Sequence, residues 1–318
     1  MTIAFVFPGQ GAQHAGMGKA LAAASAPARQ IFARADASLG FALSALCWEG
    51  PEETLRQTEN TQPAILATSI ACLAALQAHG VAPSLVAGLS VGEYAALVCV
   101  QAMRLEDALA VVRRRGLLMQ GAAAGRQTAM AAILGLDAPA ALQVCREAAS
   151  RGVVEPSNFN SPDQIVIAGD ADAVHEAIRL AKTAGAKRAV LLPVSAPFHT
   201  SLMRSASVQL AEVLASVTIS APVVPVVSNV TAQPIRRPVE IRRLLVEQVA
   251  SPVRWDASVS AMTAAGVDTF VEIGPGTTLS GLIRKTAPSA RVANVNDPAS
   301  LQAAVRLLQP VVQGTGNG

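Results

Sequence analysis

The chain has 318 residues, of which 51% are hydrophobic, 3% aromatic and 15% charged, with a formal net charge of +3. So small a charge and so few aromatic rings exclude a nucleic-acid binder held by basic patches and base stacking, and they leave a core of Ala, Val and Leu. No apolar run reaches the roughly 18–20 residues needed to cross a bilayer, and residues 1–7 lack the basic and apolar regions of a secretory leader, so a cytoplasmic protein without membrane association is expected.

The length suits a main domain with a smaller insert. In chain order, an apolar run over 3–7 reads as a strand and leads into the glycine-rich segment PGQGAQHAGMG. A dinucleotide-binding fingerprint would need glycine where His14 stands, so that reading fails. Helical patterns follow over 20–39, 51–56 and 62–79, the last closed by Gly80. A strand over 85–89, a bend at Ser90 and a helix from Gly92 come next. The helix over 105–124 contains Gly116, which costs about 1 kcal/mol in a helix interior and signals close packing or ligand approach.

Residues 126–195 change character, with strand 128–134, helix 139–150, strands 153–158 and 164–168, helix 171–184 and strand 188–193. This βαββαβ order is the split-βαβ signature of a ferredoxin-like unit. Alternation then resumes, with helices over 201–217, 238–249 and 256–265 and strands over 223–228, 269–273 and 291–295. The expected fold class is α/β. Residues 1–125 and 196–310 build a parallel sheet covered on both faces, 126–195 form the inserted ferredoxin-like subdomain, and 311–318 read as a disordered tail. Cys47, Cys72, Cys99 and Cys145 form no CxxC pair and lie in apolar contexts, so reduced core thiols, with no metal site, are expected.

The segment GLSVGEY (88–94) sets a serine between two glycines at the strand-to-helix bend. Alone the GxSxG pattern is a modest signal, arising by chance in roughly one chain in ten of this length. Its place between a strand and a helix is the context of a nucleophile elbow, with the Val91 amide and the helix N-terminus where an oxyanion would form. The competing reading is a tight turn whose glycines serve steric needs.

A serine nucleophile needs a base, and the chain has four histidines. His79 closes a helix, His175 lies on a polar helix face of the insert, and His14 belongs to the glycine-rich segment. His199, in VSAPFHTSLM where the chain leaves the insert, has no local structural need and is the base by elimination. No acidic residue stands out as a third member. A Ser90–His199 dyad, its imidazole oriented by a backbone carbonyl, is the economical reading.

FPGQGAQ, GLSVGEY, RRRGLLMQ, SNFNSPDQIVIAGD, VSAPFHTSLM, SNVTAQPI, QVASPVRWDASV and EIGPGTTLSGLIRK occur in this order. With them the chain resembles the malonyl-CoA:acyl carrier protein transacylases over residues 3–296. The resemblance implies an α/β-hydrolase-like core with a ferredoxin-like insert. It implies Ser90 as acylated nucleophile and His199 as base, with the amides of Gln10 and Val91 as the oxyanion hole. Arg115 is implied as the clamp on the malonyl carboxylate, Met119 and Phe198 as walls of the acyl pocket, and Gln248 as the residue whose carbonyl orients the histidine. Arg113 and Arg114 are expected to face solvent or a partner. Leu89 and Thr200 depart from residues common at their positions, His and Ser, and bear on acyl selectivity.

The implied activity moves a malonyl group from malonyl-CoA to the phosphopantetheine thiol of an acyl carrier protein through an acyl-Ser90 intermediate, in fatty acid or polyketide synthesis, with no cofactor. A hydrolase of acyl thioesters, transfer of a different acyl group, and a non-catalytic binding subunit are the alternatives. Arg115 argues against the hydrolase, and Ser90, His199 and Gln10 together argue against the binding subunit. A monomer is the default expectation. Arg113, Arg114, Arg284 and Lys285 are candidate contacts for an acidic carrier protein.

Overall fold

The computed structural model describes residues 1–194 and 196–308. The first half of the main domain comprises β1 (Ile3–Phe7), α1 (Lys19–Ala24), α2 (Ala26–Leu39), α3 (Leu43–Glu49), α4 (Glu52–Leu55), α5 (Thr58–Gln77), β2 (Leu85–Gly88), α6 (Gly92–Cys99) and α7 (Leu105–Ala122). The insert comprises β3 (Thr128–Leu134), α8 (Ala138–Ala148), β4 (Val154–Ser161), β5 (Gln164–Asp170), α9 (Ala171–Thr183) and β6 (Arg188–Leu191). The chain returns as α10 (Arg204–Ala215), β7 (Val226–Val227), β8 (Pro234–Ile235), α11 (Pro238–Gln248), β9 (Val253–Arg254), α12 (Trp255–Ala264), β10 (Thr269–Ile273), α13 (Thr278–Thr286), β11 (Arg291–Val295) and α14 (Pro298–Leu308). The tail over 311–318 lies outside the described residues.

The main sheet has six strands in the order β11-β10-β1-β2-β7-β8. All pairs are parallel except the edge pair β7–β8. Its central strands are apolar throughout, as a sheet covered on both faces requires. Phe5 and Phe7 join the cluster under α2, α5 and α7, whereas Ala4 and Val6 face Trp255, Met262 and Ile283 of α12 and α13.

The second sheet runs β6-β3-β5-β4-β9. Its first four strands are mutually antiparallel and realise the split-βαβ order read from the sequence. The fifth, β9, comes from the returning main-domain segment and pairs parallel with β4. Side chains alternate across this sheet. Ala131, Ile133 and Ile167 pack under α8 and α9, while Met130, Ala132 and Val166 turn toward the main domain. The insert thus contributes one apolar face to its own core and the other to the cleft between the two sheets.

Several boundaries differ from expectation for local reasons. The helix expected over 20–39 breaks at Ser25, whose hydroxyl accepts from the Ala28 amide and caps α2. The helices α3, α13 and α14 were not anticipated: α3 has only seven residues, and α13 follows directly on a glycine-rich segment. The four cysteines are buried and unpaired, and burial pushes each thiol up to about 12.

Gly116 answers to close packing. A Cβ there would stand 2.7 Å from the Thr58 carbonyl oxygen and 2.8 Å from Glu59 Cα, so α7 meets the start of α5 backbone to backbone. Gly121, five residues on in the same helix, has nothing within 4 Å of an added Cβ. The two glycines therefore predict opposite outcomes. Gly116→Ala should destabilise by about 1–3 kcal/mol through overpacking, whereas Gly121→Ala should stabilise by about 0.5–1 kcal/mol through helix propensity. Denaturant unfolding of both variants is the check, and equal effects would show that the contact with α5 yields without cost.

Candidate active site

Ser90 sits between β2 and α6 with φ of 53°, a left-handed conformation unusual for a residue with a side chain. The flanking glycines have a steric reason. A Cβ on Gly88 would lie 1.9 Å from the Gly92 carbonyl carbon, and one on Gly92 would lie 2.2 Å from the Phe7 carbonyl oxygen. The bend is folded tightly on itself and pressed against the end of β1. The Leu89 amide donates to the Phe7 carbonyl at 3.0 Å, which brings the glycine-rich segment after β1 beside the serine. The steric account of the glycines therefore holds, and the bend has the strand-to-helix geometry of an elbow.

The Ser90 hydroxyl lies 2.7 Å from His199 Nε2, although the two are 109 residues apart in sequence. His199 Nδ1 lies 2.8 Å from the Gln248 carbonyl oxygen, which can only accept. The imidazole therefore carries its proton on Nδ1 and presents the Nε2 lone pair to the serine hydroxyl. His199 too has a left-handed backbone, φ 62°, and is 3% exposed. Burial, then the charge of Arg115, holds its pKa down to about 3, so the ring is neutral at physiological pH. Its segment is tied to the insert by Glu155 of β4, whose carboxylate accepts from the Ser201 amide and hydroxyl, both at 2.7 Å. Thr200 keeps a hydroxyl that donates to the Pro197 carbonyl at 2.7 Å.

Arg115 on α7 is 1% exposed. Its Nη2 donates to Gln248 Oε1 at 2.9 Å and to Ser90 Oγ at 3.2 Å, and its Nη1 donates to Gln62 Oε1 at 2.9 Å. Burial presses the guanidinium pKa below its usual value. A cation so deep, beside the Ser90 hydroxyl and held by neutral amides, has the chemistry to receive an anionic group. Met119, Phe198, Leu89, Met130, Ala132 and Val166 give apolar lining to a cavity of about 490 Å³ that contains Ser90, His199, Arg115 and Gln10. The cavity lies between the strand ends of the main sheet and the inner face of the insert, a favoured position for ligand sites. Among the described residues, neither the Val91 amide nor the Gln10 amide donates to a protein acceptor. Both are free to serve an oxyanion.

Of the site residues named from the sequence, Ser90, His199, Gln10, Arg115, Met119 and Phe198 line the cavity, while Val91 follows Ser90 in the bend and Gln248 holds His199 and Arg115 from behind. The sequence reading missed three polar residues, Gln62 in the cavity wall and Asn229 and Glu93 behind it. Gln62 holds Arg115. Asn229 accepts from the Ser90 amide at 2.6 Å and donates to the Gly88 carbonyl at 2.6 Å, which locks the elbow. Glu93, 1% exposed, accepts from Gln248 Nε2 at 2.7 Å and from the Asn229 amide at 3.1 Å. Desolvation, only partly offset by those donors and by Arg115, raises its pKa to about 7. Glu93 and Asn229 stand in GLSVGEY and SNVTAQPI, but nothing in those segments marks them as partners. His14, His79 and His175 are exposed, away from the dyad. Of the basic residues considered for docking, Arg114 and Arg284 are exposed, Arg113 lies over the Phe41 ring at 4.3 Å, and Lys285 pairs with Asp163 at 3.0 Å. Among the described residues no cluster could hold a metal ion, and no helix is long and apolar enough to cross a membrane.

The backbone at Ser90 offers a test free of chemistry. Ser90→Gly and Ser90→Ala both delete the hydroxyl, but only glycine is at ease at positive φ. The glycine variant should be about 1 kcal/mol more stable than the alanine variant, the left-handed penalty outweighing glycine's greater unfolded-state freedom. Thermal unfolding of the pair decides it, and an alanine variant at least as stable would mean the elbow is unstrained.

The family model described as acyl transferase domain matches residues 4–311. The malonyl CoA-acyl carrier protein transacylase of Bacillus subtilis is 46% identical over 308 residues, covering 96% of this chain and 97% of that protein. The structure of the malonyl CoA-acyl carrier protein transacylase from Coxiella burnetii superposes with a TM-score of 0.95 at 39% identity, covering 98% of each chain. A malonyl-transacylase solved with a type II PKS acyl-carrier protein gives a TM-score of 0.94 at 45% identity, covering 96% of this chain and all of that one. With an elbow serine, a neutral histidine and a buried arginine in one cleft, and likeness over nearly its whole length, the chain belongs to the acyl transferase domain family.

Proposed function

We propose that the protein transfers a malonyl group from malonyl-CoA to the phosphopantetheine thiol of an acyl carrier protein. The observation that carries the reading is the buried Arg115 guanidinium beside the Ser90 hydroxyl. In the first half-reaction His199 Nε2 takes the Ser90 proton as Oγ attacks the thioester carbonyl. The oxyanion is met by the Gln10 and Val91 amides, and the coenzyme A thiolate leaves with the proton from His199. In the second half His199 deprotonates the carrier thiol, the thiolate attacks the Ser90 ester, and Oγ recovers its proton. Nucleophile, base and oxyanion donors all come from the chain, so the reaction so read needs no resident cofactor.

Arg115 does more than bind in this scheme. Its charge is one of the two causes that depress His199. A malonyl carboxylate on the guanidinium offsets that charge, so the acyl group that fits the clamp also restores basicity to the base. Acetate supplies no such charge. The relative solved with a type II PKS acyl-carrier protein supports a carrier as acceptor here, and exposed Arg114 and Arg284 are available to an acidic partner. A cytoplasmic monomer is the state we infer for this work. Water as acceptor, the hydrolase alternative, has no feature of this site in its favour.

Arg115→Ala separates the clamp from general structural support. Losing a charge-assisted contact in a buried site should cost malonyl transfer roughly 2–5 kcal/mol, or about 30- to several-thousand-fold in kcat/KM. Acetyl transfer should fall far less or rise, because an acetyl group makes no use of the clamp and the variant relieves His199 of the Arg115 charge. Arg115→Lys should recover only part of the malonyl rate, as a point charge lacks the planar fork. Equal losses for malonyl-CoA and acetyl-CoA in a folded variant would remove the clamp assignment.

A further inference from the structure

Glu93 has no part in the reaction as written, yet it is a buried carboxylate two residue contacts from the nucleophile. It lies on α6 in the turn after Ser90, and its Oε2 receives the Gln248 side-chain amide and the Asn229 backbone amide. Gln248 in turn presents Oε1 to Arg115 and its backbone carbonyl to His199. A guanidinium only donates and an ionised carboxylate only accepts, so Arg115 and Glu93 fix the sense of the amide between them. The cation and the anion are joined through one side chain, and Glu93 is the counter-charge of Arg115.

We propose that Glu93 is a positioning residue whose carboxylate balances Arg115 in the free enzyme and takes up a proton when an acyl carboxylate binds there. This rests on the malonyl reading of Arg115. Two anions cannot share one buried guanidinium without cost, and the least costly relief is to neutralise the anion that is not the substrate. The surroundings leave no other candidate for the proton. Among the described residues, β1, β2 and β7, which pack on α6, carry no titratable side chain. On α7, Arg115 is the residue that acts on Glu93; Glu106, Asp107, Arg113 and Arg114 are partly or fully exposed. On α5, Glu59 is partly exposed and Cys72 is kept protonated by burial, as are Tyr94 and Cys99 on α6 itself. His199, across the cleft, is held neutral chiefly by burial, which a carboxylate on Arg115 leaves in place. The value of about 7 for Glu93 places the exchange where a small change in nearby charge alters its occupancy.

The sign of the linkage follows. Binding that raises the proton affinity of a group takes up protons and weakens as pH rises through its titration. Acyl transfer from coenzyme A to Ser90 is itself proton-neutral, since the hydroxyl proton leaves on the thiol. Malonylation near neutral pH should therefore take up part of a proton per site more than acetylation does. The ratio of malonyl to acetyl kcat/KM should fall by up to about tenfold per pH unit above the Glu93 titration. Using the ratio cancels ionisations of coenzyme A common to both substrates.

The experiment follows proton release or uptake with an indicator dye in weak buffer while the intact protein is acylated by malonyl-CoA or acetyl-CoA. The same measurement on Glu93→Gln, which keeps an oxygen for both donors and deletes the charge, should show no difference between the two acyl groups and a flat ratio against pH. Should that variant fail to fold, the wild-type proton count still decides. A malonyl adduct formed with the same proton count as the acetyl adduct overturns the role of Glu93 and leaves the function intact. A difference that persists in Glu93→Gln overturns it as well. Failure to form any malonyl adduct removes the functional reading and this inference with it.

Discussion

The arrangement of the cleft depends on one buried side chain, Gln248. It is fully enclosed, and its backbone carbonyl, amide oxygen and amide nitrogen each hold a different element of the site. The carbonyl sets the tautomer of His199. The oxygen carries Arg115, and the nitrogen engages Glu93, with a longer contact to the Ser90 carbonyl at 3.2 Å. An amide at this position has no freedom to flip, because a flip would set like against like at both ends. That is how a neutral base and a cation are both kept within reach of one hydroxyl. In a low-dielectric site such a satisfied network is rigid, and the loss of any member leaves the others unpaired.

The second constraint is backbone proximity. Gly88 and Gly92 let the elbow close on itself and on the end of β1, and Gly116 lets α7 meet α5, so Arg115 and Gln62 reach each other. Among the described residues four with side chains have positive φ, Ser90, Gln101, His199 and Ala232, and two of these form the dyad. Strain of this kind costs of order 1–3 kcal/mol per residue and persists only where the surroundings enforce it. Here the Asn229 contacts to Ser90 and Gly88, and the Glu155 contacts to Ser201, supply the enforcement. The insert thus helps to build the cleft: β4 anchors the His199 segment, while β3 and β5 wall the cavity.

What was legible in the sequence were the features with a local signature. The run Ile3–Phe7, the bend at Ser90 and the strand–helix alternation of the insert announce themselves through period and punctuation. His199 was found because the other histidines had local explanations, and Gly116 because a glycine in a helix demands one. Arg115, Gln10 and Gln248 were reached only through resemblance to a family, since an arginine in RRRG or a glutamine in a helix has ordinary readings. Glu93, Asn229 and Gln62 stayed hidden because their significance lies in contacts as far apart as 155 residues, between Glu93 and Gln248. The strands β8 and β9, two residues each, carry no period at all.

The central claim is that an acyl group passes through Ser90 on its way to a thiol acceptor. The most direct measurement is to incubate the protein with malonyl-CoA, map the adduct by peptide mass spectrometry, and then add carrier protein bearing phosphopantetheine. The account predicts a malonyl adduct on the peptide containing Ser90, lost on addition of the carrier as malonyl-carrier appears in equal amount. An adduct on another residue, or one that decays to free malonate at the same rate with and without carrier, would contradict it.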